Sequence, residues 1–348
     1  MILILSQSAL EPTTEEVMDW LWALGGSCVR LNGDDIEGRC ALRFEIDGAE
    51  ASLVFTADDG TAEGAELPLA EVGAVWFRRW IFERRHESVD LLARPAADNH
   101  TLHYELRRHL NLESRRLSDF LTSSFADRPW LSHPRRSNLN KLDVLRRAAR
   151  AGLATPATLV TTEREALRRF CVERGPVITK PIGEVDAFLD GEVAHYLYTT
   201  ALGLAEIDAL PVRFAPSLFQ EQVEKAYEVR VFHLAGELHA MAIFSQNDDQ
   251  TRTDFRQYNR QRPNRNVPYR LPAGTAAALG RLMDDLDLET GSIDLLVRPD
   301  GGEVFLEVNP VGQFGMVSKP CNYPLERKVA ELLLRKADPE KSHDERRP

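Results

Sequence analysis

Two acidic residues near the C-terminus have the types and spacing of a metal site. Asp294 lies in Gly291-Ser292-Ile293-Asp294-Leu295-Leu296-Val297, and Glu307 opens Glu307-Val308-Asn309-Pro310. Between them runs Arg298-Pro299-Asp300-Gly301-Gly302, which is turn chemistry. The pattern predicts a hairpin that sets Asp294 and Glu307 side by side on adjoining strands. Two carboxylates and the Asn309 amide oxygen then face one space. Hard oxygen donors at that density suit Mg²⁺, which keeps several waters and is usually completed by phosphate oxygens. For the pair alone, a solvated hairpin with alternate polar residues is the competing reading.

Two lysines lie upstream in different settings. Lys141 opens Lys141-Leu142-Asp143-Val144-Leu145-Arg146-Arg147-Ala148-Ala149, where Leu142, Leu145 and Ala149 share a helical face. Lys180 follows the apolar run Pro176-Val177-Ile178-Thr179 and precedes Pro181, so it ends a strand. A lysine held there is a phosphate clamp, because an ammonium is a compact point charge. Taken singly, either lysine reads equally as a solvated surface residue. Further on, Glu228, Arg230 and Phe232 alternate with Val229 and Val231, which predicts a strand with one charged and one apolar side. Glu237 to Phe244 is its antiparallel partner, with Gly236 in the turn.

Taken in order, these elements resemble the ATP-grasp ligases: helix lysine, strand lysine, Gln220-Glu221-Gln222-Val223 linker, Glu228-x-Arg230 strand, Asp294 strand, Glu307-x-Asn309 strand. The resemblance runs from about Asn138 to Leu334, and several elements in order are more specific than any one. It implies that Lys141 and Lys180 take ATP phosphates, Glu221, Gln222 and Val223 the adenine, Glu228 the ribose, and Asp294, Glu307 and Asn309 the Mg²⁺ ions. It places Arg230 beside the γ-phosphate and the carboxylate to be activated. The chain departs from the family after Lys180, where Pro181-Ile182-Gly183-Glu184-Val185 offers a single glycine in place of a glycine-rich lid loop.

A narrower resemblance rests on Ala242-Ile243-Phe244-Ser245-Gln246, Thr253-Asp254-Phe255-Arg256-Gln257-Tyr258-Asn259-Arg260 and Asn264-Arg265-Asn266-Val267-Pro268-Tyr269. With Ile2-Leu3-Ile4-Leu5-Ser6, Arg30-Leu31-Asn32-Gly33-Asp34-Asp35 and Ser318-Lys319-Pro320-Cys321-Asn322-Tyr323-Pro324, it covers nearly the whole chain. The chain is similar to the graspetide maturases, the peptide-modifying branch of the ATP-grasp ligases, in particular the grasp-with-spasm type. Asp254 and Arg256 are by that resemblance the substrate-side signature, catalytic together with Arg230. Physically, a carboxylate being phosphorylated needs cations to hold it against a triphosphate, and an arginine fork fits it with two hydrogen bonds. Read blind, Thr251 to Arg270 is a polar loop with scattered arginines; its length without apolar periodicity argues for a functional loop.

The chain has 348 residues, enough for two or three domains. Its 43 Lys+Arg against 54 Asp+Glu give a net charge of −11, which disfavours nucleic-acid binding. Arg78, Arg79, Arg84, Arg85, Arg107, Arg108, Arg115, Arg116, Arg135 and Arg136 concentrate basic charge in the first half. Such a cluster can steer an acidic peptide, though for most of them a solvated helical surface is the preferred reading. Cys28, Cys40, Cys171 and Cys321 have neither disulfide nor zinc spacing. No signal peptide or membrane-length apolar run is evident, so the expected location is cytoplasmic.

The first third reads as strand, amphipathic helix from Thr14 to Leu24, strand from Ser27 to Leu31 and a further strand from Val72 to Phe77, followed by a long helix from Asn99 to Leu121. The expected fold class is α/β (α+β), an ATP-grasp fold with an open α/β domain (1–120), a central lid subdomain (121–205), a C-terminal antiparallel-sheet subdomain (206–337) and a disordered tail (338–348).

The expected function is ATP-dependent macrocyclisation. An Asp or Glu side chain of a ribosomal precursor peptide is phosphorylated, and a Ser or Thr hydroxyl or Lys amine of the same peptide displaces phosphate. Leader-peptide recognition and a homodimer are implied by the resemblance. A ligase adding glutamate-like residues to a protein tail is the second reading, and a non-catalytic nucleotide-binding scaffold the third.

Overall fold

A computed structural model describes residues 1–9, 11–35, 40–47, 50–57, 65–67, 69–80, 100–183, 188–190, 193–195, 199–247 and 263–338. It is a mixed α/β structure that divides into two compact units, Met1–Ser137 with Pro324–Pro348, and Asn138–Tyr323. The boundary expected at 205/206 lies inside the second unit. The 339–348 tail lies outside the described residues.

The first unit is built on a parallel sheet. Strands β1 (Ile2–Ser6), β2 (Cys28–Asn32), β6 (Ala74–Phe77) and β7 (Trp130–Leu131) lie in the order β2-β1-β6-β7. All five residues of β1 are buried, as a near-continuous apolar run in a parallel strand requires. Helix α1 (Pro12–Ala23) starts on a proline, whose missing N–H costs nothing at that position, and buries Val17 and Leu21. Beyond β2 the chain makes an antiparallel sheet of β3 (Cys40–Asp47), β4 (Glu50–Ala57) and β5 (Ala65–Leu67), which the sequence reading did not assign. The long helix is α2 (His100–Ser123). Glu11 is fully buried against Arg78 (3.2 Å) and Arg79 (3.4 Å), which ties the entry of α1 to the end of β6. Burial pushes the Arg78 guanidinium down to about 10, against the opposing pull of Glu11.

The second unit carries two antiparallel sheets. The smaller has the order β12-β9-β13-β8, from β8 (Thr158–Glu163), β9 (Val177–Lys180), β12 (Thr200–Leu202) and β13 (Arg213–Glu221). Helix α4 (Arg164–Arg174) and short helix α5 (Leu204–Asp208) cover one face through Leu167, Cys171 and Ile207 on Val177 and Phe219. A separate two-stranded piece is formed by β10 (Phe188–Asp190) and β11 (Val193–His195). The larger sheet has the order β16-β15-β14-β17-β18, from β14 (Tyr227–Leu234), β15 (Glu237–Phe244), β16 (Arg265–Tyr269), β17 (Thr290–Val297) and β18 (Glu303–Asn309). Helices α3 (Lys141–Arg150) and α6 (Ala273–Asp285) fill its core face. Short helix α7 (Gly315–Cys321) follows, and α8 (Leu325–Ala337) returns to the first unit to pack on α1.

The stretch from Thr251 to Arg270 departs from the loop expectation. Its first twelve residues lie outside the described ones, whereas its end forms β16. Val267 and Tyr269 pack on the core, while Asn266 and Pro268 take the opposite face, and a proline is tolerated because β16 is an edge strand. Polar composition hid this alternation.

Two backbone positions set measurable stabilities. At Gly73 an added Cβ would stand 2.6 Å from the Ala337 carbonyl oxygen, a backbone atom that cannot turn aside. Gly73→Ala is expected to lower unfolding free energy by about 1–3 kcal/mol, read from the urea midpoint. At the β14–β15 hairpin, Ala235 and Gly236 have φ of 47° and 90°, the two left-handed residues of a type I′ turn. Ala235→Asn supplies the residue that tolerates this conformation and is expected to raise stability by about 0.5–1 kcal/mol in the same assay.

Candidate nucleotide and carboxylate site

The larger sheet separates its two faces cleanly. Val229, Val231, Ile293, Leu295, Val297, Phe305 and Val308 point to the aliphatic core with Ala240 and Ala242. By alternation, Glu228, Arg230, Asp294, Glu307 and Asn309 point to the other face. The registers place Arg230 opposite Asp294, Asp294 opposite Glu307, and Ser292 opposite Asn309. One row across three strands therefore carries a cation and two carboxylates.

The hairpin forms as the sequence predicts, with a detail the reading missed. Gly301 has φ of 85°, and its N–H donates to the Arg298 carbonyl at 2.9 Å, closing the turn. Leu295 pairs with Phe305 but Asp294 pairs with Glu307, so Leu306 is an extra, bulged residue. In a regular ladder Leu306 would face Asp294, and Glu307 would face the core. The bulge puts Glu307 beside Asp294. The broken alternation in Val304-Phe305-Leu306 was its visible sign.

Cations converge on these carboxylates from three elements. Arg230 Nη1 donates to both oxygens of Asp294 at 3.1 Å. Its Nε is buried without a partner among the described residues. Lys141 Nζ lies 3.7 Å and Lys180 Nζ 3.9 Å from Glu307 Oε2. Those contacts exceed hydrogen-bond reach, so Glu307 holds the two ammonium groups near without fixing them. Lys141 is the first residue of α3, capped by Asn140, whose Oδ1 accepts from the N–H groups of Leu142 and Asp143. A cation at a helix N-terminus opposes the helix dipole, and an anion there reverses the sign. Lys180 ends β9 opposite Leu218 and reaches across to the larger sheet.

The linker between the sheets is pinned at both ends. Glu221 N–H donates to the Ala157 carbonyl at 3.0 Å, Gln222 N–H to Pro176 at 2.9 Å, and Ala226 N–H to Val297 at 2.7 Å. Gln222 to Lys225 between them have no regular structure. Glu221 Oε1 lies 4.0 Å from Arg298 Nη2, Gln222 is exposed and Val223 half-buried. Glu228 is buried, with Lys225 Nζ at 2.5 Å and Ser245 Oγ at 2.8 Å, two partners to which the sequence reading gave no role. Asn309 Oδ1 accepts from Val311 N–H at 3.0 Å, and Ser292 Oγ donates to the Gln313 carbonyl at 3.2 Å, which lays the chain after β18 on β17. Gly312 permits that approach, because a Cβ there would clash with Ser292.

The structure thus brings together Lys141, Lys180, Arg230, Asp294 and Glu307, with Asn309 on the same face and Glu228 at its edge. Asp254 and Arg256 lie outside the described residues, as do 184–187 of the segment after Lys180. Among the described residues no set of three or more His, Cys, Asp or Glu is arranged to hold a metal by itself. Two carboxylates and an amide oxygen fit a Mg²⁺ that takes its other ligands from phosphate and water, not one caged by protein.

No family model matches the sequence, and no curated protein matches it. Solved structures do. A Chryseobacterium gregarium RiPP-associated ATP-grasp ligase, solved with ADP and a leader and core peptide, is 23% identical with a TM-score of 0.80, covering 96% of both chains. The macrocyclase MdnC of Microcystis aeruginosa MRC, bound with precursor peptide MdnA, is 25% identical with a TM-score of 0.77, covering 96% of this chain and 99% of that one. The ATP-grasp ligase PsnB, complexed with minimal precursor, Mg and ADP, is 19% identical with a TM-score of 0.70, covering 97% of both. The chain has the ATP-grasp fold, and along nearly its whole length it is similar to RiPP-associated ATP-grasp ligases.

Proposed function

We propose that this protein is an ATP- and Mg²⁺-dependent macrocyclase acting on an acidic precursor peptide. The observation that carries the reading is the meeting of Lys141, Lys180 and Arg230 with Asp294 and Glu307 on one sheet face. Its support from comparison is a set of full-length structural neighbours solved with ADP, Mg or precursor peptides.

The chemistry follows from this arrangement. ATP supplies the γ-phosphoryl group that a peptide carboxylate attacks, releasing ADP and leaving an acyl phosphate; a hydroxyl or amine of the same peptide then displaces phosphate. Asp294, Glu307 and Asn309 would hold Mg²⁺, which would supply charge neutralisation at the phosphates. Lys141 and Lys180, which meet at Glu307 Oε2, are placed to take phosphate oxygens. Arg230 commits a single nitrogen to Asp294 and has others left to hold the attacking carboxylate, so it links metal ligand and substrate. Glu221 to Val223 take the base in the linker. Asp254 and Arg256 complete the substrate side. Positioning and charge neutralisation do most of the work, and no covalent protein nucleophile is needed. The protein works in the cytosol as a homodimer.

Incubation with ATP, Mg²⁺ and the acidic, Ser/Thr-rich peptides encoded beside the gene is the test. Water loss from a single peptide with stoichiometric ADP is expected; mass added as whole residues would replace this reading with that of a tail-adding ligase. Asp294→Asn is expected to lower kcat by about 10²–10³-fold with little change in melting temperature. Arg230→Lys keeps the charge but loses the fork, and is expected to lower kcat by about a hundredfold in the same assay.

A further inference from the structure

Each of the three side chains that the site offers to a dication already has a protein partner. Arg230 Nη1 donates to both carboxylate oxygens of Asp294 at 3.1 Å, so each of them has a cation beside it. Lys141 and Lys180 meet at one atom, Glu307 Oε2, at 3.7 Å and 3.9 Å. Asn309 Oδ1 accepts from the Val311 N–H at 3.0 Å, a neutral contact that leaves the amide oxygen a lone pair. The carboxylates are therefore the guarded donors. Their guards come from three elements, Arg230 from β14, Lys141 from the start of α3 and Lys180 from the end of β9.

Electrostatics then decides which ligand this arrangement accepts first. A dication at Glu307 Oε2 would lie about 2.1 Å from that oxygen, hence no more than about 6 Å from either ammonium nitrogen. The five charged side chains are between 13% and 30% exposed, so water and salt screen the repulsion only in part. The positive end of the α3 dipole, at Lys141, adds to it. A triphosphate reverses the sign. Its oxygens give the same cations other anions to face, and a dication then meets phosphate together with carboxylate.

We propose that Lys141, Lys180 and Arg230 gate the metal site: paired with Glu307 and Asp294 they keep out a divalent cation that comes alone, and they yield the carboxylates to one that comes with or after a triphosphate. This deepens the ATP reading above and rests on it. Each lysine then has two effects of opposite sign, drawing the nucleotide in and holding the bare metal off. A lysine that served only as a phosphate ligand, or only to hold the fold together, would have no such second effect.

The test pairs two titrations of the full chain: Mn²⁺ alone, followed by loss of its free-ion paramagnetic resonance signal, and AMPPNP with Mg²⁺, followed by calorimetry. Lys180→Met is expected to bind Mn²⁺ alone at least about tenfold more tightly than wild type, and to bind AMPPNP with Mg²⁺ more weakly. One substitution thus moves the two affinities in opposite directions. Lys141→Met, on a different element, is expected to do the same, and Lys180→Arg, which keeps the charge, to leave Mn²⁺ binding as weak as in wild type. Adding Glu307→Gln to Lys180→Met is expected to abolish the gain, which ties it to this site. Unchanged or weakened Mn²⁺ binding in both Met variants overturns the proposal while leaving the ATP reading intact, as does a gain that survives Glu307→Gln. Failure of wild type to bind AMPPNP with Mg²⁺ overturns both.

Discussion

The alternation of side chains along β14 and β17, carried into β18 across the bulge at Leu306, is the constraint on which everything else rests. These strands divide their residues between an aliphatic layer and the opposite face, and the extra Leu306 in β18 keeps Val308 on the first and Glu307 on the second. The aliphatic half, with Val229, Val231, Ile293, Leu295 and Phe305 packed on Leu279, Leu282 and Met283, provides the stiffness. The polar half inherits that stiffness. Arg230, Asp294 and Glu307 stand in a row because their neighbours cannot leave the core without exposing apolar surface, at about 25 cal/mol per Å². Function therefore rides on residues that have no chemistry of their own.

A second constraint is electrostatic. Lys141, Lys180 and Arg230 meet Asp294 and Glu307 on this face, so each of these two carboxylates has a cationic partner. The partners come from different places: a helix start, a strand end and the strand next door. Such a set costs little to hold in this form and is complementary to a polyanion with a bound dication. The lysines sit at contacts too long for hydrogen bonds, whereas Arg230 is bonded at 3.1 Å.

Much of this was legible in the residues. Asp294 and Glu307 could be paired because Pro299, Asp300 and Gly301 announce a turn and the flanking runs alternate. Lys180 could be placed because a proline follows an apolar run. The bulge at Leu306 was missed, since a hairpin is usually imagined as a regular ladder, although three apolar residues in succession mark the break. β16 was missed because Asn266, Pro268 and Arg265 masked the inward Val267 and Tyr269. Lys225 and Ser245 could not be found from spacing: their tie to Glu228 joins a linker to the end of a neighbouring strand, and local pattern carries no such information. The sheet of β3, β4 and β5 was likewise not assigned, its strands giving no chemistry to anchor a reading.

The bulge in β18 also bears on how the chain reaches its fold. A hairpin that zips from the Pro299–Gly301 turn grows as a regular ladder through Leu295 and Phe305, and the next step has two choices. Continuing regularly would drive the Glu307 carboxylate and the Asn309 amide into the layer that Ile293 and Val308 fill, a desolvation cost of several kcal/mol. Skipping Leu306 avoids it. The acidic side chain thus disfavours the unbulged register, which would bury a carboxylate among apolar residues.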